Sequence, residues 1–211
     1  MRTLTERLRA CYTGAVHDVL RMMGHERVVL PPDLKPIDPT LKLAGPVWTV
    51  SGHIDRTKTR HETLLGWCTL LSKAPAGHVV VLQPHNREVA MMGELSAQTL
   101  AARGVLGFVV DGGSRDTELV LEQRFPVWCS FLTPSDIVER WIPDAYGAPV
   151  DMIASCTLHA CSRFTARCSA SPIVSPVIST PWLRMNSTLC WPSVFAIASH
   201  SARSSEMPWK S

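Results

Sequence analysis

Residues 93–116, GELSAQTLAARGVLGFVVDGGSRD, change their hydrophobic pattern twice, with glycines at the changes. Residues 94–103 have the apolar spacing of a helix that ends at Gly104. Residues 105–110 form a short, fully apolar run of the kind found in strands buried on both faces. A helix followed at once by such a strand favours a fold in which helices cover a sheet.

The same alternation occurs earlier in the chain. Apolar residues recur with helical spacing over residues 3–23, and Gly24 is well placed to end one continuous helix there. A strand is expected near residues 47–51. Residues 61–72 predict a helix, and the β-branched run after it, HVVVLQ, predicts another buried strand. We therefore predict an α/β fold.

Composition narrows the classes of partner and location. The formal net charge of +3 is small and is not concentrated in a basic block, which favours small molecules or proteins over nucleic acid as partners. No apolar run approaches the roughly 20 residues of a membrane helix. Arginines interrupt the first apolar residues, so that segment is read as a helix and not as a signal peptide. The seven cysteines contain no C-x-x-C pair, which is typical of reduced thiols in a cytoplasmic protein.

The last part of the chain has a different composition from the rest. All 12 glycines precede residue 151, and residues 151–211 contain only Asp151 and Glu206 as acids while being rich in Ser, Cys and Trp. Folded α/β segments need glycine where a turn requires positive φ. We therefore predict a single α/β domain over residues 1–150, which carries the functional site, and an atypical, poorly ordered tail over residues 151–211.

Two groups of residues in the opening stretch suggest chemistry. After Gly93, the first helical N–H groups, those of residues 94–96, have no acceptor within the helix and could bind an anion. After the strand and the Asp111-Gly112-Gly113 turn come Arg115 and Asp116, beyond the carboxyl end where α/β sheets place ligands. An arginine fork binds a carboxylate, and an aspartate binds a hard divalent cation.

A purely structural interpretation of these residues remains open. Asp116 could cap a helix that begins at Thr117, Arg115 could be a surface cation, and Gly93 could be an ordinary turn glycine. For an isolated Arg-Asp pair, this interpretation is favoured over a binding site.

Several separated motifs resemble one known family. The stretch at residues 93–116, the segment Val16-His17-Asp18-Val19-Leu20, the segment Leu43-Ala44-Gly45-Pro46 and the segment Phe125-Pro126-Val127 occur in the order of the family that contains the regulator of ribonuclease activity A and the 4-hydroxy-4-methyl-2-oxoglutarate aldolases. The resemblance covers residues 5–150. It implies a swivelling β/β/α domain assembled as a ring-shaped homotrimer with active sites at the subunit boundaries.

The resemblance also implies a site and an activity. Gly93, Glu94, Leu95 and Ser96 would bind substrate, Arg115 would bind the substrate carboxylate, and Asp116 would hold a divalent cation, Mg²⁺ or Mn²⁺. The implied enzyme is a class II, metal-dependent carbon-carbon lyase. It would cleave a 4-hydroxy-2-oxo diacid such as 4-hydroxy-4-methyl-2-oxoglutarate, or decarboxylate oxaloacetate, to release pyruvate.

Two alternatives follow from the same resemblance. Some family members bind and inhibit a ribonuclease and need no metal chemistry, so a protein-binding regulator without catalytic activity is the runner-up. A methyltransferase acting on a quinone is less favoured, because no G-x-G-x-x-G loop follows an early strand.

The chain departs from the family pattern at two places. The aldolases usually carry an acid three positions after the Arg-Asp aspartate, where this chain has Leu119, and Glu118 stands one residue early. The family's glycine-rich closing strands, with Gly-Asp and Asp-Gly motifs, are missing after Val150. We hypothesise a frameshift close to Val150, which would leave a sheet edge open and make the 211-residue chain poorly soluble and weakly active.

Overall fold

A computed structural model describes residues 3–25, 28–152, 156–158 and 194–198. The chain begins with two short helices, α1 (Leu4–Ala10) and α2 (Thr13–Met22). The prediction of one continuous helix is wrong, because Cys11 and Tyr12 take extended backbone with ψ of 161° and 149°. Neither is a strong helix former. The predicted stop at Gly24 is confirmed, and its φ of 81° suits a residue without Cβ.

The main sheet is parallel at its centre. In spatial order its parallel strands are β7 (Val127–Cys129), β5 (Gly107–Val110), β3 (Val79–Gln83) and β2 (Lys42–Ile54). β1 (Lys35–Pro36) pairs antiparallel with β7. β2 also pairs antiparallel with two later strands, with β9 (Trp141–Tyr146) along residues 50–54 and with β12 (Val194–Ala198) along residues 42–46.

A second, smaller sheet consists of β4 (Ala90–Met92), β6 (Gly113–Ser114) and β8 (Phe131–Leu132), all parallel. Helix α3 (Arg60–Lys73) connects β2 to β3. The chain then contains two successive copies of one unit, which consists of a strand of the main sheet, a strand of the small sheet and a helix. These units are β3, β4 and α4 (Glu94–Ala102), and β5, β6 and α5 (Thr117–Glu122). β10 (Val150–Met152) and β11 (Cys156–Leu158) form a separate antiparallel pair, and β10 contacts β2 and β3 of the main sheet.

Apolar side chains fill both faces of the main sheet. Every residue of β3 is buried; Val80 and Leu82 pack in a cluster with the helices, while Val79 and Val81 pack in a second cluster with residues such as Leu43. The α/β fold and the buried strand at residues 78–83 are therefore confirmed. The predicted helices at residues 61–72 and 94–103 are confirmed as α3 and α4.

Among the described residues, Cys11, Cys68 and Cys129 are free thiols. Burial raises the pKa of the Cys129 thiol to about 11, so it stays protonated at neutral pH. No helix in this part of the chain is both long and apolar enough to cross a membrane.

The prediction of a poorly ordered tail concerns residues that lie mostly outside the described ones. Where the tail is described, β12 pairs with the first half of β2, so that stretch of the sheet is not left open.

Candidate functional site

The small sheet brings the two predicted halves of the site together. β4 and β6 are parallel neighbours, and their last residues, Met92 and Ser114, face each other. The backbone N–H of Arg115 continues the pairing by donating to the Met92 carbonyl over 2.8 Å. The residues that follow the two strands, Gly93 and the Arg115-Asp116 pair, therefore lie at the same edge of this sheet.

Gly93 leaves space that the side chains of Arg115 and Asp116 occupy. Its φ of −156° is ordinary extended backbone, which any residue adopts. A Cβ at this position, however, would lie 2.6 Å from Asp116 Oδ2 and 3.1 Å from Arg115 Cγ. The simple turn-glycine interpretation is wrong, since Gly93 is the N-cap residue of α4 and its missing side chain lets the Arg115-Asp116 pair approach the helix terminus.

Asp116 is the most constrained residue of the site. It stands at the N-cap position of α5 in the left-handed region, with φ 52° and ψ 39°, but its side chain makes no capping hydrogen bond to that helix. Its Oδ2 accepts instead from the backbone N–H of Glu94, 3.2 Å away at the start of α4. Asp116 therefore occupies the N-cap position of a helix that begins at Thr117, as the structural interpretation expected, but its carboxylate binds the first N–H of α4 instead of capping α5. A non-glycine residue in this backbone region costs about 1 kcal/mol or more, and such strain clusters at functional sites.

Arg115 lies between two carboxylates. Its Nε is 3.4 Å from Asp116 Oδ2, and its Nη1 is 3.9 Å from Asp136 Oδ2. The side chains of Arg115 and Asp116 are 39% and 38% exposed, so a ligand can reach both from solvent. The pair presents a cation and an anion side by side next to the positive end of α4.

The other predicted residues occupy the first turn of α4 in different environments. Glu94 is half-buried, and Leu95 is 73% exposed. The Ser96 hydroxyl accepts a hydrogen bond of 2.9 Å from the indole N–H of Trp67, which ties α4 to α3. The structure thus joins Gly93, Glu94, Arg115 and Asp116 by direct contact, while Ser96 contacts the core. Substrate binding by residues 93–96 remains a prediction.

Buried polar contacts support the loop that carries Arg115. Asp111, at the carboxyl end of β5, accepts from Gln83 Nε2 over 2.9 Å and from Ser130 Oγ over 3.1 Å. Arg87 Nη2 also lies 3.5 Å from its carboxylate. These contacts join the ends of three neighbouring parallel strands, so the turn after Asp111 starts from a fixed position.

The donor set at Asp116 fits a weakly chelated hard cation. Within the described residues, no group of three or more His, Cys, Asp or Glu side chains could surround a metal. Glu118 and Leu119, at the positions where the family pattern is altered, are both exposed. Mg²⁺ needs only one or two carboxylates, because it keeps several waters and is completed by substrate oxygens. Asp116, half exposed and holding one backbone N–H, satisfies that requirement.

Comparison with known protein families decides the membership of the chain. The sequence profile described as RraA-like, Aldolase/RraA, matches residues 13–157, which is more than half of the chain. The chain belongs to the RraA-like family. The family resemblance inferred from the motifs is thereby confirmed, and the family name covers both aldolases and ribonuclease regulators.

Two similar proteins each share 26% identity with the matched part of the chain. Protein DlpA of Legionella pneumophila is 26% identical over 131 residues, a match that covers 62% of this chain but only 21% of DlpA. The chain therefore spans about a fifth of the length of that relative. The crystal structure of RraAS2 of Streptomyces coelicolor, described as an unusual member of the RNase ES inhibitor RraA protein family, has a TM-score of 0.61 and 26% identity, covering 74% of this chain and 77% of RraAS2.

A further solved structure shows the same fold. It is described as novel cellulases from microbes associated with the gut ecosystem, and it matches with a TM-score of 0.66 and 23% identity over 76% of this chain and 73% of the other. At that identity the likeness concerns the fold alone.

Sequence reasoning missed Asp136 and Arg140 at this RraA-like site. Asp136 follows β8, the third parallel strand of the small sheet, and it reaches Arg115 from the loop after that strand. Arg140 Nη2 contacts Asp136 Oδ1 at 2.8 Å. The rule that parallel strands carry ligand-binding residues at their carboxyl ends could have found Asp136. The strand itself, only two residues long, gives no periodic signal that would have located it.

Proposed function

We propose that this RraA-like chain is a divalent-metal-dependent carbon-carbon lyase. Its substrate would be a 4-hydroxy-2-oxo diacid of the 4-hydroxy-4-methyl-2-oxoglutarate type, or oxaloacetate, and its product pyruvate. The observation that carries the proposal is the position of Asp116. Its carboxylate is held in a strained backbone conformation, does not cap its own helix, and lies beside Arg115 at the start of α4.

Asp116 would hold the cation, Mg²⁺ or Mn²⁺, through its other carboxylate oxygen, Oδ1. When bound, such a cation supplies Lewis-acid polarisation of the keto and carboxylate oxygens of a 2-oxo acid. The hydrogen bond from the Glu94 N–H fixes Oδ2 and limits rotation of the carboxylate. That restraint, together with the space left by Gly93, keeps the carboxylate against the terminus of α4.

Arg115 would bind and orient the substrate carboxylate. Its Nε faces Asp116, which leaves guanidinium N–H groups for a bidentate contact with an incoming anion. The backbone N–H groups of residues 95 and 96 have no acceptor within the helix and can donate to a second oxygen. Negative charge develops on the keto oxygen as the carbon-carbon bond breaks, and fixed donors stabilise such charge without reorganising.

The proposal includes the assembly and location of the protein. The chain would form a homotrimer with sites at the subunit boundaries and would act in the cytoplasm. We also propose that residues 151–211 replace the family's closing strands through a frameshift near Val150, which would weaken the activity of the chain. Translating the other two frames of the gene after that codon tests this point: neither frame yielding Gly-Asp and Asp-Gly motifs would exclude it.

Replacement of Asp116 by Asn tests the catalytic proposal. Asn keeps the size of the side chain and tolerates the left-handed backbone region, but it removes the charge that a divalent cation requires. We expect Mg²⁺- or Mn²⁺-dependent pyruvate release from oxaloacetate and from 4-hydroxy-4-methyl-2-oxoglutarate to fall on the order of 100-fold. The thermal midpoint should change little.

Asp33→Asn, at an exposed position near the start of β1, is the matched control and should retain activity. Equal activity of Asp116→Asn and Asp33→Asn would exclude Asp116 as the metal ligand.

A ribonuclease regulator is the second candidate, and the likeness to RraAS2 favours it. This function requires a protein surface and no metal. The discriminating measurement is RNA cleavage by RNase ES with increasing amounts of the chain, for both the unchanged protein and Asp116→Asn. Equal inhibition by both, with no pyruvate release by either, supports the regulator. Pyruvate release without inhibition supports the lyase.

A further inference from the structure

The site contains a row of alternating charges. Asp116 and Asp136 flank Arg115, at 3.4 Å from Nε and 3.9 Å from Nη1 respectively. Asp116 Oδ2 also accepts a hydrogen bond from the backbone N–H of Glu94, which fixes its position. The contact between Arg115 and Asp136 is the longer of the two. An anion that approaches Arg115 must compete with Asp136 for the same guanidinium edge.

Asp136 is held on its far side by Arg140. Its Oδ1 accepts from Arg140 Nη2 at 2.8 Å and from the backbone N–H of Val138 at 3.1 Å. Arg140 Nη1 also donates to Ser135 Oγ over 2.5 Å, and its Nε donates to the Val138 carbonyl over 3.4 Å. With three contacts in one loop, the Arg140 guanidinium is anchored, so Asp136 is bound more closely to Arg140 than to Arg115.

We propose that Arg140 is a positioning residue that draws Asp136 away from Arg115 and so keeps Arg115 available for a carboxylate ligand. This inference rests on the proposed role of Arg115 as carboxylate clamp. In the absence of Arg140, the Asp136 carboxylate would turn to Arg115 as its remaining cation and would compete with the ligand. Arg140 thereby sets the affinity of the site for 2-oxo acids without touching them.

The charges distinguish this role from a general field effect. Removal of Asp136 should strengthen anion binding, and removal of Arg140 should weaken it. The long-range electrostatic effect of each charge on the anion would change the affinity in the same two directions. Such independent electrostatic effects, however, predict that the two changes in binding free energy add in the double variant. If Arg140 acts through Asp136, replacing Arg140 has no further effect once Asp136 is neutral.

The test measures the binding of oxalate, a small dicarboxylate, to the full-length chain by calorimetry at fixed Mg²⁺ and ionic strength. We expect Asp136→Asn to lower the Kd and Arg140→Gln to raise it, each about fivefold, the upper range for partly exposed ion pairs. Asn retains the Oδ1 that accepts from Val138. The double variant should match Asp136→Asn alone. Asp33→Asn and Arg9→Gln remove the same charges at exposed positions and should leave the Kd unchanged.

Other results would overturn the inference. Additive effects in the double variant would show that Arg140 acts on the ligand only through its charge and not through Asp136. Unchanged affinity in both single variants would show that Asp136 does not influence ligand binding. If Arg140→Gln does not fold, Arg140→Lys decides. It keeps the charge but cannot grip Asp136 and Ser135 together, so a raised Kd supports the inference and an unchanged Kd contradicts it.

Arg115→Gln separates this inference from the function on which it rests. Loss of oxalate binding in Arg115→Gln together with unchanged Asp136 and Arg140 variants rejects only the inference. Undiminished binding in Arg115→Gln, or no binding to the unchanged chain, rejects the carboxylate clamp and the inference with it.

Discussion

The helices at the beginning of the chain and the helix at the site have similar local signals but different environments. The N-terminal helix pair, α1 and α2, contains no buried residue. The site unit, residues 90–122, buries Ala97, Leu100 and Val120 from its two helices and all three residues of β4. Apolar spacing predicted helix in both regions. Periodicity therefore shows which face of a helix is apolar, and it does not show whether anything covers that face.

The largest expected difference between the two regions is in stability. Leu100 is fully buried in α4, and Leu100→Ala should lower the free energy of unfolding by about 2–5 kcal/mol through lost burial and the cavity left behind. Met22, in α2, is 74% exposed, and Met22→Ala should change it by less than about 0.5 kcal/mol. Urea unfolding followed by circular dichroism measures both. A comparable loss in Met22→Ala would show that α2 is covered in the assembled protein.

Two glycines provide a sharper comparison, because the same added methyl group should have opposite effects. In Gly93→Ala, the new Cβ conflicts with Asp116 Oδ2 at 2.6 Å, so the carboxylate or the helix terminus must move. A displacement of this size in a catalytic site costs on the order of 10- to 100-fold in rate. We expect that loss in Mg²⁺-dependent pyruvate release, with the fold retained.

Gly14→Ala, in α2, is the matched variant. Its Cβ would meet only the Tyr12 ring, at an ordinary 3.5 Å, and alanine favours the helix by about 0.5–1 kcal/mol. The helical content should rise slightly and the activity should stay the same. Full activity in Gly93→Ala would mean that the close approach of Asp116 to α4 is not needed.

The sequence predicted those parts of the site that follow from regular structure. The apolar run of β5 and the helical spacing of α4 located Gly93 and the Arg115-Asp116 pair after neighbouring elements. The parallel pairing of β4 with β6 then brought them into contact, but these strands are three and two residues long, too short for a hydrophobic period. The small sheet was implied only by the family resemblance.

The side-chain contacts could not be predicted for a different reason. The left-handed backbone at Asp116 and its contact with the Glu94 N–H depend on how two units of the chain stack, which local sequence does not encode. The hydrogen bond of the Ser96 hydroxyl, which accepts from Trp67 on α3, likewise depends on how two helices pack and could not be predicted from local sequence. The break at Cys11 was missed because the apolar spacing continues across it.

The smallest effect concerns two capping boxes of the same residue types, Thr3 with Glu6 in α1 and Thr59 with Glu62 in α3. Thr59→Ala should cost about 1 kcal/mol of global stability, because α3 packs in the core through Leu70 and Leu71. Thr3→Ala should reduce only the local helicity, since α1 buries nothing and can fray without unfolding the sheet.

The loss of stability caused by Thr59→Ala should become smaller at acidic pH. Hydrogen bonds from the Thr59 backbone N–H and hydroxyl lower the pKa of Glu62 below its usual 4.5. A lowered pKa in the folded state means that the carboxylate stabilises the protein above about pH 4.5, and that this contribution is lost as the pH falls through the folded pKa. The difference in urea midpoint between Thr59→Ala and the unchanged chain should therefore be constant near pH 7 and shrink below pH 4.5. An equal loss of midpoint in Thr3→Ala would contradict the contrast, because it would require α1 to unfold together with the core.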